Sequence, residues 1–473
     1  MTEQQTLERD VVSTDPGILA GFAADASGLV LAPEAVARPR TAEEAVAVLR
    51  AAHAARRPIT PAGALTGYSG GAISDRGVIL SLRAMDRILA VDPAARTIRC
   101  EPGVLLGDAK RAAAAHGLLL APDPTSEEES SVGGAVACNA SGGRSLKYGA
   151  TRPHVSALTV ALADGTVLEL RRPAMEKNVA GYTPVHDLID WFVGSEGTLG
   201  VVLAAEFALL PLPDAVLGLG FPFPTAAQAL AFVVEARRAR DAGSALQPRC
   251  LEYLDAPAFA IARDYAREFV GGSWGAGAEA YVYAEQEAFG AAEPPLDDWL
   301  ALAERHGALT DDIQVFDGEA SLRNARAMRH AVPATLNERA ARYQAGGGRK
   351  VSTDWAVPYP RLAEALDMAT ATAHAHGVEL AAVFGHAGNG HPHTHFVARD
   401  PAELERIEAA LDATVERVLA MGGTVAAEHG IGKLKRRWLA RQLSPVQLGL
   451  MRAVKRELDP HGLLAPGNVF STL

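Results

Sequence analysis

The chain is 473 residues long, too long for one ordinary core, so two or three domains are expected. Hydrophobic residues make up 48% and charged residues 21%, which excludes a disordered chain, and a formal charge of −11 argues against a phosphate-tracking nucleic-acid surface. Three widely spaced cysteines (Cys100, Cys138, Cys250) with no Cys-x-x-Cys exclude a self-contained four-cysteine iron–sulfur cluster and argue against a disulfide framework.

Residues 1–10 lack the basic and apolar regions of a secretory signal, and no run approaches the ~20 apolar residues of a membrane span. A cytoplasmic protein is expected, with peripheral association at the inner face of the membrane left open. From about residue 33 to 120, helical and strand patterns alternate. Thr41 caps a helix and Glu44 completes a capping box. Strand-like runs follow at Val78–Leu82, Ile88–Val91 and Thr97–Cys100, and residues 155–170 read as a hairpin turning on Asp164-Gly165. Pro211 and Pro213 interrupt any regular element and mark a boundary. Beyond them, helices over 224–242, 256–269, 295–306, 361–376 and 402–420 alternate with strands at 249–254, 280–283 and 379–384. The stretch Gly271–Gly277 and the Ala/Glu-rich residues after it read as loop. The fold class is α+β throughout.

Three glycine-rich segments lie in the first half. Pro58–Ala72 carries glycines that let backbone N–H groups converge on an anion, with Thr66 and Ser69 as hydroxyl donors. It is neither a P-loop nor a Gly-x-Gly-x-x-Gly fingerprint. Pro122–Gly143, followed by Lys147, has almost no bulk between Ser130 and Gly143, and Gly194–Gly200 adds three more glycines. Close approach to a large flat ligand and its pyrophosphate explains three such loops better than packing alone.

These loops and their spacing resemble the FAD-binding domain of the vanillyl-alcohol oxidase / p-cresol methylhydroxylase superfamily, in its D-lactate and glycolate dehydrogenase (D-2-hydroxyacid dehydrogenase) branch. The resemblance runs from about residue 30 to the C-terminus. It implies a two-subdomain FAD-binding domain over 1–212, an α+β substrate or cap domain over 213–425, and a segment over 426–473 that returns to the FAD domain and completes the active site. It implies cofactor contacts from Pro61, Gly63, Thr66, Gly67, Ser69 and Gly70, from Pro124, Ser131, Gly133, Gly134, Asn139, Gly142 and Gly143, and from Glu196, Gly197, Gly200 and Val202. Ala62, Ala64 and Leu65 stand where the family commonly has Arg, Gly and Gly. The first loop has no histidine, so the FAD is expected to be non-covalent.

Farther along, Phe384–Phe396 packs four imidazoles into ten residues around a Gly-Asn-Gly turn. Read as strand, turn and strand, it puts His391, His393 and His395 on one face at i, i+2 and i+4, with His386 returning from the first strand. Imidazoles grouped this way suit a divalent cation, and a solvent-exposed His-rich loop is the plainer alternative. Gly423–Gly432 reads as a strand ending in Glu428-His429. Two histidines and one carboxylate leave positions open on a metal, as in catalytic sites. The resemblance assigns His386, His393 and Glu428 as ligands of a divalent metal, Zn or Mn, and His429 as the acid/base. Asn389 and His391 depart from the family's Asp and Asn, His391 is demoted, and His395 has an undecided role.

Arg329 takes the place of the family's carboxylate-binding arginine, and Lys350 is nominated by Lys-x-x-x-Asp-x-x-Val-Pro. Arg323 and Arg326 on the same helix read as solvated charges. In the terminal motif Ala465 replaces Asn and Asn468 replaces Lys. The resemblance implies oxidation of a small D-2-hydroxy acid, D-lactate or glycolate by preference, with metal-assisted deprotonation of the hydroxyl and hydride transfer to flavin N5. A non-redox enzyme of the alkyl-dihydroxyacetone-phosphate synthase type, a flavin-binding subunit inactive alone, and a metallohydrolase are the rivals. The electron acceptor (a quinone, a cytochrome or an electron-transfer flavoprotein) and assembly as a homodimer are left open.

Overall fold

A computed structural model describes residues 11–175, 177–182, 187–270, 274–290 and 292–471. Residues 1–10, and residues 271–273 of the expected loop, lie outside the described residues. The chain forms two compact units. One comprises Met1–Gly142, Gly149–Leu212 and Glu428–Leu473, the other Gly143–Tyr148 and Pro213–Ala427.

The first unit holds two main sheets. Strands β1 (Val12–Ser13), β2 (Ala35–Ala37), β3 (Ile59–Ala62) and β4 (Val78–Ser81) make one, in the order β1-β2-β4-β3, with β2, β4 and β3 parallel. Helix Ala42–Ala54 buries Ala45, Leu49 and Ala52 in the core that includes this sheet. Thr41 Oγ1 accepts the Glu44 N–H at 3.2 Å, but the Glu44 carboxylate accepts from the Arg40 N–H at 2.7 Å. The reciprocal arm of the expected capping box therefore lands one residue before the cap.

Strands β5 (Ile88–Asp92), β6 (Thr97–Cys100), β8 (Val155–Ala161), β9 (Val167–Arg171) and β10 (Val201–Ala208) form an antiparallel sheet in the order β5-β6-β10-β8-β9. A separate pair is formed by β7 (Leu118–Leu119) and β11 (Leu210–Pro211). The C-terminal segment returns to β3: the Ile59 N–H donates to Leu463 O at 2.8 Å and the Ala465 N–H to Ile59 O at 2.7 Å. Buried Lys455 secures this return, its Nζ donating to Asp459 at 2.5 Å, to Thr198 O at 2.6 Å and to Leu464 O at 3.0 Å.

The second unit is built on a seven-stranded antiparallel sheet. Its strands are β12 (Ala215–Phe223), β13 (Pro248–Asp255), β14 (Ala280–Ala288), β15 (Gln314–Asp317), β16 (Arg349–Ser352), β17 (Ala382–His386) and β18 (His391–Ala398), in the order β15-β12-β14-β13-β17-β18-β16. Register decides its faces, because directly opposed residues share a face and side chains alternate. Glu285 lies opposite Cys250, Tyr283 opposite Glu252, Tyr281 opposite Leu254, Phe384 opposite Leu254 and His393, and His386 opposite His391. One face therefore carries Glu285, Glu252, Phe384 and the histidines. Helices Ala256–Val270 and Gly318–Ala341 cover it, with Phe259, Met328 and Leu336 in its core. The opposite face buries Leu251, Tyr253 and Val282 against Phe232, Trp299 and Ala365.

The structure corrects three expectations here. The Ala/Glu-rich segment is the second half of β14, not loop. Glu285 can be buried in a strand because Arg144 Nε (2.9 Å), Arg249 Nε (2.7 Å) and the Tyr283 hydroxyl (2.9 Å) all donate to it. Burial pushes the Glu285 carboxyl up, and Arg144, Arg249 and Arg326 outweigh that and hold it well below its ordinary range. Arg326 is thus half-buried and acts on Glu285, whereas Arg323 is exposed and pairs with Glu319. Finally, Gly423–His429 is not a strand. It makes one bridge, Thr424 to Ala356, and the Ala427 N–H then donates to Asp354 O at 2.9 Å. The loop after β16 holds this segment, and no sheet edge does.

Candidate functional site

The glycine loops converge within the first unit. A Cβ on Gly63 would lie 2.4 Å from Ser131 Oγ, one on Gly133 2.6 Å from Pro102 Cβ, and one on Gly197, at φ +72°, 3.1 Å from Pro61 Cγ. A Cβ on Gly142 would lie 1.8 Å from Asp123 O and 3.3 Å from Pro124 Cα. Ser131 caps helix Val132–Cys138 by accepting the Gly134 N–H, and Asn139 ends it in the left-handed region. Gly67 has open space around it, and Val202 lies on β10. Gly200 packs onto β8, where a Cβ would meet Val160 Cγ1 at 2.5 Å. Leu65, where the resembling family has glycine, keeps φ +64°. Backbone brought this close and stripped of Cβ atoms is a cradle that fits a flavin nucleotide.

Glu196 ties this cradle to the C-terminal segment. Its carboxylate accepts the N–H groups of Ile431 at 2.7 Å and Gly432 at 2.6 Å. Burial pushes its carboxyl up, and these two donors oppose that. Ser69 O accepts the Lys433 N–H at 2.8 Å, and Gly70 O accepts from Lys433 Nζ at 3.1 Å. Lys433 Nζ also donates to Asn468 Oδ1 at 2.6 Å. His429 stands one residue before this turn, its ring 4.8 Å from that of Tyr68.

In the second unit, the hairpin β17–β18 closes through the 3-10 turn Ala387–Asn389 and Gly390. Gly390 sits at φ +68° where a Cβ would lie 2.0 Å from Val357 O. The expected face is formed: His391, His393 and His395 are buried, and the His386, His391 and His393 ligand atoms lie within 4.8 Å of one another. Nδ1 of His386 meets Glu252 Oε1 at 2.5 Å, and Nδ1 of His393 meets Thr353 O at 3.0 Å. Nε2 is therefore the ring nitrogen each would offer to a cation. His391 directs Nε2 to Asp354 Oδ1 at 3.3 Å, and His395 stacks on Phe384 with ring centroids 4.4 Å apart. Buried imidazoles with oriented tautomers fit a divalent cation and do not fit a solvent-exposed His-rich loop. Glu428 follows Ala427 directly in the chain.

Arg329, on helix Gly318–Ala341, donates from Nε to Glu252 Oε2 at 3.1 Å and lies over the Phe384 ring at 4.5 Å. With Nε engaged, its terminal nitrogens are the donors left for a carboxylate. Burial pushes the Glu252 carboxyl up, but the charges and hydrogen bonds of His386 and Arg329 outweigh it and hold it at about 2. Lys350 lies on β16 two residues from Ser352, which pairs with His395, so it shares the histidine face. Burial pushes its ammonium down from the ordinary value. Gly143 belongs here and not with Gly142, since a Cβ on it would stand 2.8 Å from Glu252 Oε1 and 3.3 Å from His386 Nδ1. Sequence reasoning missed Glu252 and Thr353. The signal for Glu252 was an acid inside the apolar run Cys250–Leu254.

Comparison with known proteins gives the following matches. The family described as FAD linked oxidases, C-terminal domain, matches residues 212–469, and the FAD binding domain family matches residues 33–171. Glycolate oxidase subunit GlcD of Bacillus subtilis is 32% identical over 452 residues, covering 93% of this chain and 89% of that protein. A D-lactate dehydrogenase of Anaerostipes hadrus is 33% identical over 451 residues, covering 92% and 89%. The structure of p-cresol methylhydroxylase with substrate bound superposes with a TM-score of 0.73 at 16% identity, over 98% of this chain and 96% of that one. The fold is therefore that of p-cresol methylhydroxylase, as the glycine loops implied.

Proposed function

Because the chain belongs to the family of FAD-linked oxidases, we propose that it oxidises a small D-2-hydroxy acid to the 2-oxo acid, with D-lactate and glycolate preferred. Non-covalent FAD, bound by the glycine loops, supplies the two-electron acceptor. A divalent cation (Zn or Mn) held by His386, His393 and Glu428 would lower the pKa of the substrate hydroxyl. The terminal nitrogens of Arg329 and the ammonium of Lys350 bind the substrate carboxylate and orient C2. An imidazole nitrogen of His429 takes the hydroxyl proton as C2 is oxidised. The observation that carries this reading is one sheet face bearing oriented imidazoles beside a guanidinium fixed at Nε.

Lys350 favours a second reading, a dicarboxylic 2-hydroxy acid, because it is a second cation on the same face. The test is anaerobic bleaching of the purified yellow protein by D-lactate, glycolate and D-2-hydroxyglutarate, with an artificial dye as acceptor for turnover. Bleaching by the first two, lost on chelation and in His386→Ala, is expected. Bleaching by none of the three sinks the reading. Bleaching indifferent to both chelation and His386→Ala removes the metal from it.

A further inference from the structure

We propose that Glu252 is a positioning residue which orients the cation site and the substrate-carboxylate site together through one carboxylate. It rests on the roles given above to His386 and Arg329, and it goes beyond them by assigning a group that touches neither cation nor substrate.

Glu252 stands in the middle of β13, among the most buried acids of the second unit, with a side chain 8% exposed. Its two oxygens serve two different elements. Oε1 accepts the Nδ1–H of His386 at the end of β17, and Oε2 accepts the Nε–H of Arg329 on helix Gly318–Ala341. The first bond fixes the His386 tautomer and the ring plane, and makes Nε2 a stronger donor to a cation. The second fixes the guanidinium plane, so that its outer edge presents two parallel N–H groups. A carboxylate is needed for this, because only it accepts on both oxygens at once; an amide accepts on one and donates from the other. The neighbouring chain leaves room for this geometry, since Gly143 has no Cβ where one would crowd both Oε1 and His386 Nδ1.

Glu285 provides an internal control. It lies on the same face, one strand over and also buried, and bridges Arg144 and Arg249 instead of His386 and Arg329. Removing either acid takes a charged acceptor away from buried cations, so both substitutions cost stability. Only the loss of Glu252 should disturb the cation and the carboxylate.

The experiment uses the flavin-loaded full chain and compares wild type, Glu252→Gln, Glu252→Asp and Glu285→Gln. Zn and Mn affinity is read by competition with a chromophoric chelator, steady-state kinetics with D-lactate and glycolate give KM and kcat separately, and flavin content and melting temperature serve as checks. Glu252→Gln should weaken cation binding by about 10–100-fold and raise KM more than it lowers kcat. Glu252→Asp should recover part of both. Glu285→Gln should melt earlier with cation affinity and KM within about twofold of wild type. If Glu252→Gln retains wild-type cation affinity and KM, or Glu285→Gln loses as much as Glu252→Gln, the assignment is overturned. Should Glu252→Gln fail to fold, wild-type cation affinity and KM in both Glu252→Asp and Gly143→Ala overturn it equally. Wild type that binds no cation stoichiometrically brings down the underlying reading itself, a result distinct from the others.

Discussion

His393 Nδ1 lies 3.0 Å from the Thr353 carbonyl oxygen, a backbone acceptor that no side-chain substitution removes. The ring therefore keeps its Nδ1–H tautomer, and Nε2 is the nitrogen it would offer to a cation. His391 Nε2 lies 3.3 Å from Asp354 Oδ1, within ion-pair reach. His393→Ala is expected to abolish stoichiometric metal and to lower the rate of flavin reduction by at least about 100-fold, whereas His391→Ala keeps metal near one equivalent. Elemental analysis and stopped-flow reduction check both. Equal metal loss in the two variants would show that His391 is a ligand after all.

Asp255 sets a pH-dependent increment of stability in the second unit. Burial pushes its carboxyl up to about 6 from 3.8, against the opposing N–H groups of Ala258 and Val383. A raised carboxyl favours the neutral form in the fold. Its contribution is thus complete below pH 3.8 and is lost as pH rises through about 6. The stability gap between wild type and Asp255→Asn should therefore narrow by about 2 kcal/mol between pH 4 and pH 7. Urea unfolding across that range measures it, and a constant gap contradicts the assignment.

Gly63→Ala tests the flavin cradle without touching the histidine face. The new methyl must displace Ser131 Oγ, which caps helix Val132–Cys138. Loss of that cap costs about 1 kcal/mol. The ratio of flavin to protein absorbance should drop several-fold while metal content per chain stays at the wild-type value. Undiminished flavin occupancy would remove Gly63 from the cradle.

Lys455→Met should destabilise the first unit by about 3–5 kcal/mol, because Asp459 is left buried without its cation. Asp459 also accepts the N–H groups of Leu463 and Leu464, so the double variant Lys455→Met with Asp459→Asn should recover only part of the loss. Calorimetry of the three proteins decides this. Melting of Lys455→Met at the wild-type temperature would show that the ion pair is dispensable.

Features governed by local periodicity were legible in the sequence. The histidine face follows from alternation along Ala382–Ala398, and the helices Ala226–Asp241 and Pro401–Ala420 from their caps and apolar spacing. Features settled by distant partners were not. Glu252 meets His386 134 residues away, and Glu285 is a strand residue only because Arg144, 141 residues earlier, neutralises it. Gly143–Tyr148 leaves one unit for the other within six residues, with no composition shift to announce it. The reading of Gly423–His429 as a strand failed because β-propensity says nothing about whether a neighbouring strand is present to pair with it.

The pairing of Ile59 with Leu463–Ala465 bears on how the protein is made. An edge of the first sheet waits for residues synthesised some four hundred positions later. On a ribosome, Pro213–Ala427 can acquire all of its sheet partners while the earlier segment still lacks one of its own. The glycine loop at Glu196, anchored to Ile431 and Gly432, therefore matures last. Truncation after residue 460 should accordingly yield chains in which Pro213–Ala427 resists protease and the segment before Leu212 does not.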